Sequence, residues 1–121
     1  MVERSDTTTL APNVLSADCP SRSILNHVTS RWGVLVLVAL RGTTLRFSAL
    51  RRRIDGVSER MLALTLQTLE ADGFVSRRAL DVVPPHVEYS LTPTGEEISR
   101  QVSALARWIE DNLHRIPSAR N

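Results

Sequence analysis

At 121 residues, 42% hydrophobic and 23% charged, the chain is long enough for one globular domain with a real core and shows no compositional bias towards disorder. Five aromatic residues offer no platform for stacking single-stranded bases, and the longest apolar stretch, Trp32 to Leu40, falls far short of the ~20 residues a membrane span needs. The net charge of +2 is uneven, because residues 41–60 hold Arg41, Arg46, Arg51, Arg52, Arg53 and Arg60 against only Asp55 and Glu59.

Residues 1–17, rich in Thr and Ser around Pro12, carry no periodicity and are expected to form a flexible arm. No Arg-then-apolar signal segment opens the chain and its single cysteine cannot close an internal disulfide, so a cytoplasmic setting is expected. "DCPSRSILNHV" predicts a short helix, with Asp18 able to cap it and Pro20 suited to its first turn. "SRWGVLVLVALRG" is rich in Val, as a buried strand would be. Its length, Ser30 as a cap and Gly42 as a stop favour a buried helix. "TTLR" reads as a short extended link.

From Phe47 the apolar positions 47, 50 and 54 define one face of a helix. Arg52 then points almost directly away from that face, Arg53 lies to one side, and Arg51 flanks the stripe. On residues alone, the run either keeps a face solvated or meets a negatively charged partner. Every basic residue is arginine; the codon usage of a GC-rich genome explains that absence of lysine equally well, but not the clustering. "DGVS" breaks the helix and Ser58 can cap the next, which buries Leu62, Leu66 and Leu69 and stops at Gly73. Two helices joined by so short a turn make a helix-turn-helix. With those leucines inward, Arg60, Ala63, Leu64 and Gln67 face out. Arg and Gln read guanine and adenine edges bidentately. Ala63 and Leu64 can touch a thymine methyl, or Leu64 is simply an exposed leucine. Ser58 stands at a helix amino end, where free N–H groups favour phosphate.

"FVSRRAL" and "VEYSLT" read as two strands joined by the turn-prone "DVVPPH". Thr92 and Pro93 open a last long helix striped by Ile98, Val102, Leu105, Ile109, Leu113 and Ile116, roughly 30 Å long. A stripe on so long a helix suggests a second copy as partner. The expected fold is mainly α with a small β-hairpin wing (α+β): a winged helix-turn-helix over residues 18–116, flanked by dimerisation helices and followed by a tail, 117–121.

Cys19-Pro20, "RWGVLVLVAL", "LRFSALRRRIDGVSERMLALTLQTLEADG" and "PPHVEYSLTPTG" run in the order found in the HxlR-type bacterial winged-helix transcription regulators, which the chain resembles over about residues 19 to 110. The resemblance implies a homodimer that binds double-stranded operator DNA and regulates transcription, most simply as a repressor. It makes Arg46, Arg51, Arg52, Arg53, Arg77 and Arg78 phosphate candidates, with His86 on the wing where the family usually has Arg or Lys. It also makes Cys19, ahead of a helix, a candidate sensor of oxidant or electrophile; a small buried thiol is the alternative. A dimer would use Ile98, Val102, Leu105, Ile109 and Leu113. A small-molecule effector between the long helices, or a winged-helix module for an acidic protein, are the competing readings. No catalytic constellation is visible: His27, His86 and His114 are scattered, Glu96 and Glu97 adjoin without converging, and no cofactor, metal or membrane is expected.

Overall fold

The computed structural model describes residues 11–120. Helix α1 (Pro20–Thr29) begins with Pro20 in its first turn, where a missing N–H is harmless. Its N-cap is Cys19, not Asp18, and no side chain caps it. Ser30 ends α1 and caps α2 (Arg31–Leu40): its hydroxyl oxygen accepts the Gly33 N–H at 3.1 Å and donates to the His27 carbonyl at 2.8 Å. Despite its valines this run is a helix, and Val36, Leu37 and Leu40 are fully buried in the core. Among the described residues no single helix is long and apolar enough to cross a membrane.

Part of the expected arm is tied down. Residues 1–10 lie outside the described residues, but the segment from Asn13 turns back onto α1. Arg22 Nε donates to the Val14 carbonyl at 2.6 Å and its Nη2 to the Leu15 carbonyl at 2.9 Å.

Leu45–Arg46 is not a mere link but a strand, β1, leading directly into α3 (Phe47–Arg53). Leu50 of α3, with Ile54 and Val57 of the turn, enters the core that Leu62, Leu66 and Leu69 of α4 (Glu59–Ala71) complete. Gly73 follows α4 with φ of +85°, the left-handed conformation that lets the chain leave a helix without a Cβ clash. The strands β2 (Val75–Leu80) and β3 (His86–Leu91) then pair antiparallel, and β1 adds to the other edge of β3, giving a three-stranded sheet in the order β1-β3-β2. The two-residue β1 carries no signal of its own, since its pairing comes from Tyr89 and Glu88 far along the chain.

Helix α5 (Pro93–Asp111) is capped by Thr92, whose hydroxyl oxygen accepts the Gly95 N–H at 3.0 Å, and it packs along α2. At Gly95 the helix presses so closely on the Phe74 carbonyl that any side chain would collide with it. The expected stripe divides. Val102 is buried in the domain's own core and so is not available to a second copy, while Ile98 packs against that core and keeps part of its surface exposed. The helix also stops earlier than its stripe. Asn112 ends it by donating to the Trp108 carbonyl at 2.8 Å; Leu113 sits in a 3-10 turn, Leu113–Arg115, and Ile116 lies beyond.

Candidate nucleic-acid interface

Helix α4 has two faces with opposite surroundings. Leu62, Leu66 and Leu69 lie at or below 2% exposure, holding the helix down along about two turns. On the other side Arg60, Leu64 and Gln67 are exposed, and Ala63 is half-exposed between them. Positions 60, 63, 64 and 67 form one stripe, and Arg60 and Gln67 stand about 10 Å apart along the axis, about three base-pair steps. Neither side chain has a hydrogen-bond or ion-pair partner among the described residues. Ser58, by contrast, is committed: its oxygen accepts the Met61 N–H at 3.0 Å as the helix cap, leaving its O–H as a donor at the amino end.

The three consecutive arginines of α3 have three surroundings. Arg51, though exposed, reaches across the turn of the motif. Its Nε donates to the Val57 carbonyl at 3.3 Å and its Nη1 lies 3.9 Å from Glu59 Oε1, so it braces the turn between the two motif helices. Arg53 leans back on α2, where Nη1 donates to the Ala39 carbonyl at 3.4 Å. Arg52 is exposed and has no internal partner among the described residues. A cleft of about 670 Å³ opens beneath Arg51 and Arg52, floored by Phe47, Ile54 and Val57.

On the sheet, register decides which arginines cooperate. Arg46 and Arg78 both stand opposite Glu88 on β3, so all three share one face, with the carboxylate between the two cations. Leu45 and Tyr89 belong to the opposite face, against the core. Arg77 pairs with Tyr89, hence lies on that second face, exposed past the core's edge. Arg77 and Arg78 therefore cannot address one phosphate row together from the same side. His86 is half-buried and lies 3.8 Å from Glu88 Oε2, which places an acid beside it on the last rung of the hairpin, opposite Leu80. That tip is apolar, with Val83 98% exposed.

Cys19 is half-exposed at the start of α1. The Asn13 backbone N–H donates to its sulfur at 3.3 Å, and the Ser21 hydroxyl oxygen lies 3.3 Å away. The Asn13 N–H first, then Ser21, hold the thiol below its ordinary range by favouring the thiolate. Sequence reasoning missed the pair formed by His27 and Asp72, 45 residues apart, whose side chains meet at 2.7 Å. No local signal could have found it. It missed Trp108 too, 54% exposed beside Leu105 and Ile109 on α5, although its helical spacing was legible.

A helix-turn-helix backed by a small antiparallel sheet, with a long helix closing the core, defines a winged helix-turn-helix protein. Residues 27–117 match the HxlR-like helix-turn-helix family, and the chain belongs to it. The HTH-type transcriptional regulator YtfH of Escherichia coli (strain K12) is 63% identical over 109 residues, 90% of this chain and 86% of the relative. The solved structure of the regulator ytfH from Salmonella typhimurium superposes with a TM-score of 0.84 at 61% identity, covering 91% of this chain and 98% of that one. The redox regulator HypR in its oxidized form matches at 0.71 and 36% identity, over 78% of this chain and 97% of its own. The chain is thus a transcriptional regulator of the helix-turn-helix type, not an enzyme, in a family whose regulators bind DNA.

Proposed function

We propose that this protein acts in the cytoplasm as a homodimer on a specific double-stranded operator, with α4 in the major groove. The observation that carries this reading is the division of α4: three leucines at or below 2% exposure anchor it, and Arg60 and Gln67 stand free above. Arg60 and Gln67 supply bidentate base contacts, while Ala63 and Leu64 allow close approach or meet a thymine methyl. Arg52 supplies a phosphate contact beside the motif, with Arg53, Arg46, Arg77 and Arg78 contributing less, because backbone carbonyls, Glu88 or strand direction divide them. Repression is the mode that operator occupation can produce by itself. Two copies would read half-sites about 34 Å apart or a multiple of it.

A salt series on a duplex enriched by the protein from a random pool tests this. Arg52→Ala should flatten the dependence of log affinity on log salt by about one unit while keeping site preference. Arg60→Ala should keep the slope and relax one base position at a loss of about 1–3 kcal/mol. Parent-like behaviour of both variants would overturn the assignment, and failure to enrich any duplex would favour a protein-interaction module.

Response to oxidant or electrophile through Cys19 is the regulatory reading that a specific observation favours. Its sulfur receives a backbone N–H in a partly exposed position, and a similar solved structure is that of the redox regulator HypR. Diamide should weaken operator binding by the parent and leave Cys19→Ser unaffected; equal losses in both would exclude the thiol.

A further inference from the structure

A carboxylate at the end of α4 is matched by a histidine from another part of the fold. His27 Nδ1 lies 2.7 Å from Asp72 Oδ2, and the Asp72 side chain is only 9% exposed. A carboxylate can only accept hydrogen bonds, so Nδ1 carries the donated proton. Asp72 is the C-cap of α4, the end where the helix dipole disfavours negative charge. Among the described residues His27 is the only ion-pair partner of this mostly buried side chain.

Both ends of this link are rigidly mounted. The His27 carbonyl accepts the Ser30 hydroxyl at 2.8 Å, and α2 crosses so closely that a methyl group at Gly33 would collide with the same carbonyl oxygen. Asp72 is held by its N–H to the Thr68 carbonyl at 3.1 Å. The next residue, Gly73, turns the chain into β2, and its carbonyl accepts the hydroxyls of Thr92 at 2.6 Å and Thr94 at 3.1 Å. The pair therefore joins the α1–α2 corner to the junction of the recognition helix, the wing and α5.

We propose that His27 and Asp72 are positioning residues for DNA binding: their pair fixes the C-terminal end of α4 against the α1–α2 corner and so sets the tilt of α4 and the wing root. The link rests on the DNA-binding reading above, but the placement is a property of the free protein. Asp72 lies about 18 Å along α4 from Arg60, so the pair acts through the helix and not by touching the bases Arg60 would read. A shift of α1 would reach the DNA-facing surface by this route.

The test compares His27→Ala, Asp72→Asn, the double variant and His27→Gln with the parent, on the duplex the parent enriches. Each of the first two should lose affinity about tenfold, the scale of one charge-assisted hydrogen bond. The double variant should be no weaker than the weaker single, His27→Gln should regain most of the loss through its amide donor, and the salt slope should not change. In the free protein, amide exchange at residues 71–74 should quicken in His27→Ala and Asp72→Asn but not in His27→Gln. Parent-like affinity, additive losses or unchanged exchange would each overturn the link. If the parent enriches no duplex, the DNA-binding reading fails and exchange alone decides the placement. If His27→Ala does not fold, Asp72→Asn and His27→Gln carry the same comparison.

Discussion

Three neighbouring arginines on one short helix meet three environments because each step around a helix turns the side chain by about 100°. Arg51 reaches the Val57 carbonyl across the turn, Arg53 reaches α2, and Arg52 reaches solvent. A cation already hydrogen-bonded to its own domain has less to give a phosphate, which is why Arg52 carries the salt-dependent contact in our reading. Cys19 shows the same dependence on immediate surroundings. Its thiol is lowered by the Asn13 N–H and Ser21, so its reactive thiolate forms at lower pH than that of an ordinary cysteine. The rate of alkylation by iodoacetamide should accordingly rise with a midpoint below that of an unperturbed cysteine. Ser21→Ala should move that midpoint upward by removing one stabilising neighbour. A parent midpoint at or above the ordinary value would contradict the environment described here.

At the scale of elements, α4 stands on packing and on its cap, and the two are separable. Leu66 is 2% exposed between Leu62 and Leu69, so Leu66→Ala should cost about 2–5 kcal/mol of stability through lost burial and a residual cavity. Ser58→Ala removes the acceptor of the Met61 N–H and should cost about 1 kcal/mol. Leu64, 52% exposed, should be replaceable by Ala within about 0.5 kcal/mol. Urea unfolding of the three variants checks the order, and a large loss at Leu64 would mean that the faces of α4 are wrongly assigned. This helix was fully legible in the sequence, since its cap, its leucine spacing and its terminal Gly73 all lie within fifteen or so residues. The wing was half legible. Two strand-like runs and the proline-rich tip between them marked the hairpin, but β1 is defined by its pairing with Tyr89 and Glu88, which no local pattern announces.

At the scale of the whole molecule, the end of α5 is apolar and uncovered. Leu105, Trp108, Ile109 and Leu113 are each more than 40% exposed, a contiguous apolar surface that a lone domain would rarely leave to water. A second copy is the occupant our proposed function requires, because a two-fold operator is matched by a two-fold protein. Ile109→Glu should yield a folded monomer by sedimentation, with unchanged circular dichroism and much weaker operator binding. A variant that remains dimeric would place the interface elsewhere.

The helical period, strand-like runs about a proline-rich turn, caps, stops and the clustering of arginine were enough to determine that this chain is a helix-turn-helix with a wing and a basic flank, because each of those signals is local to the element it specifies. Tertiary structure alone decided which members of a pattern do which work. Val102 and Leu105 belong to one stripe, yet the core lies only under the first half of α5, so one is buried and the other exposed. Arg51 and Arg52 adjoin in one run, yet only one finds a carbonyl across the turn. His27 and Asp72 meet because two helix ends converge in space, and sequence distance carries no record of that.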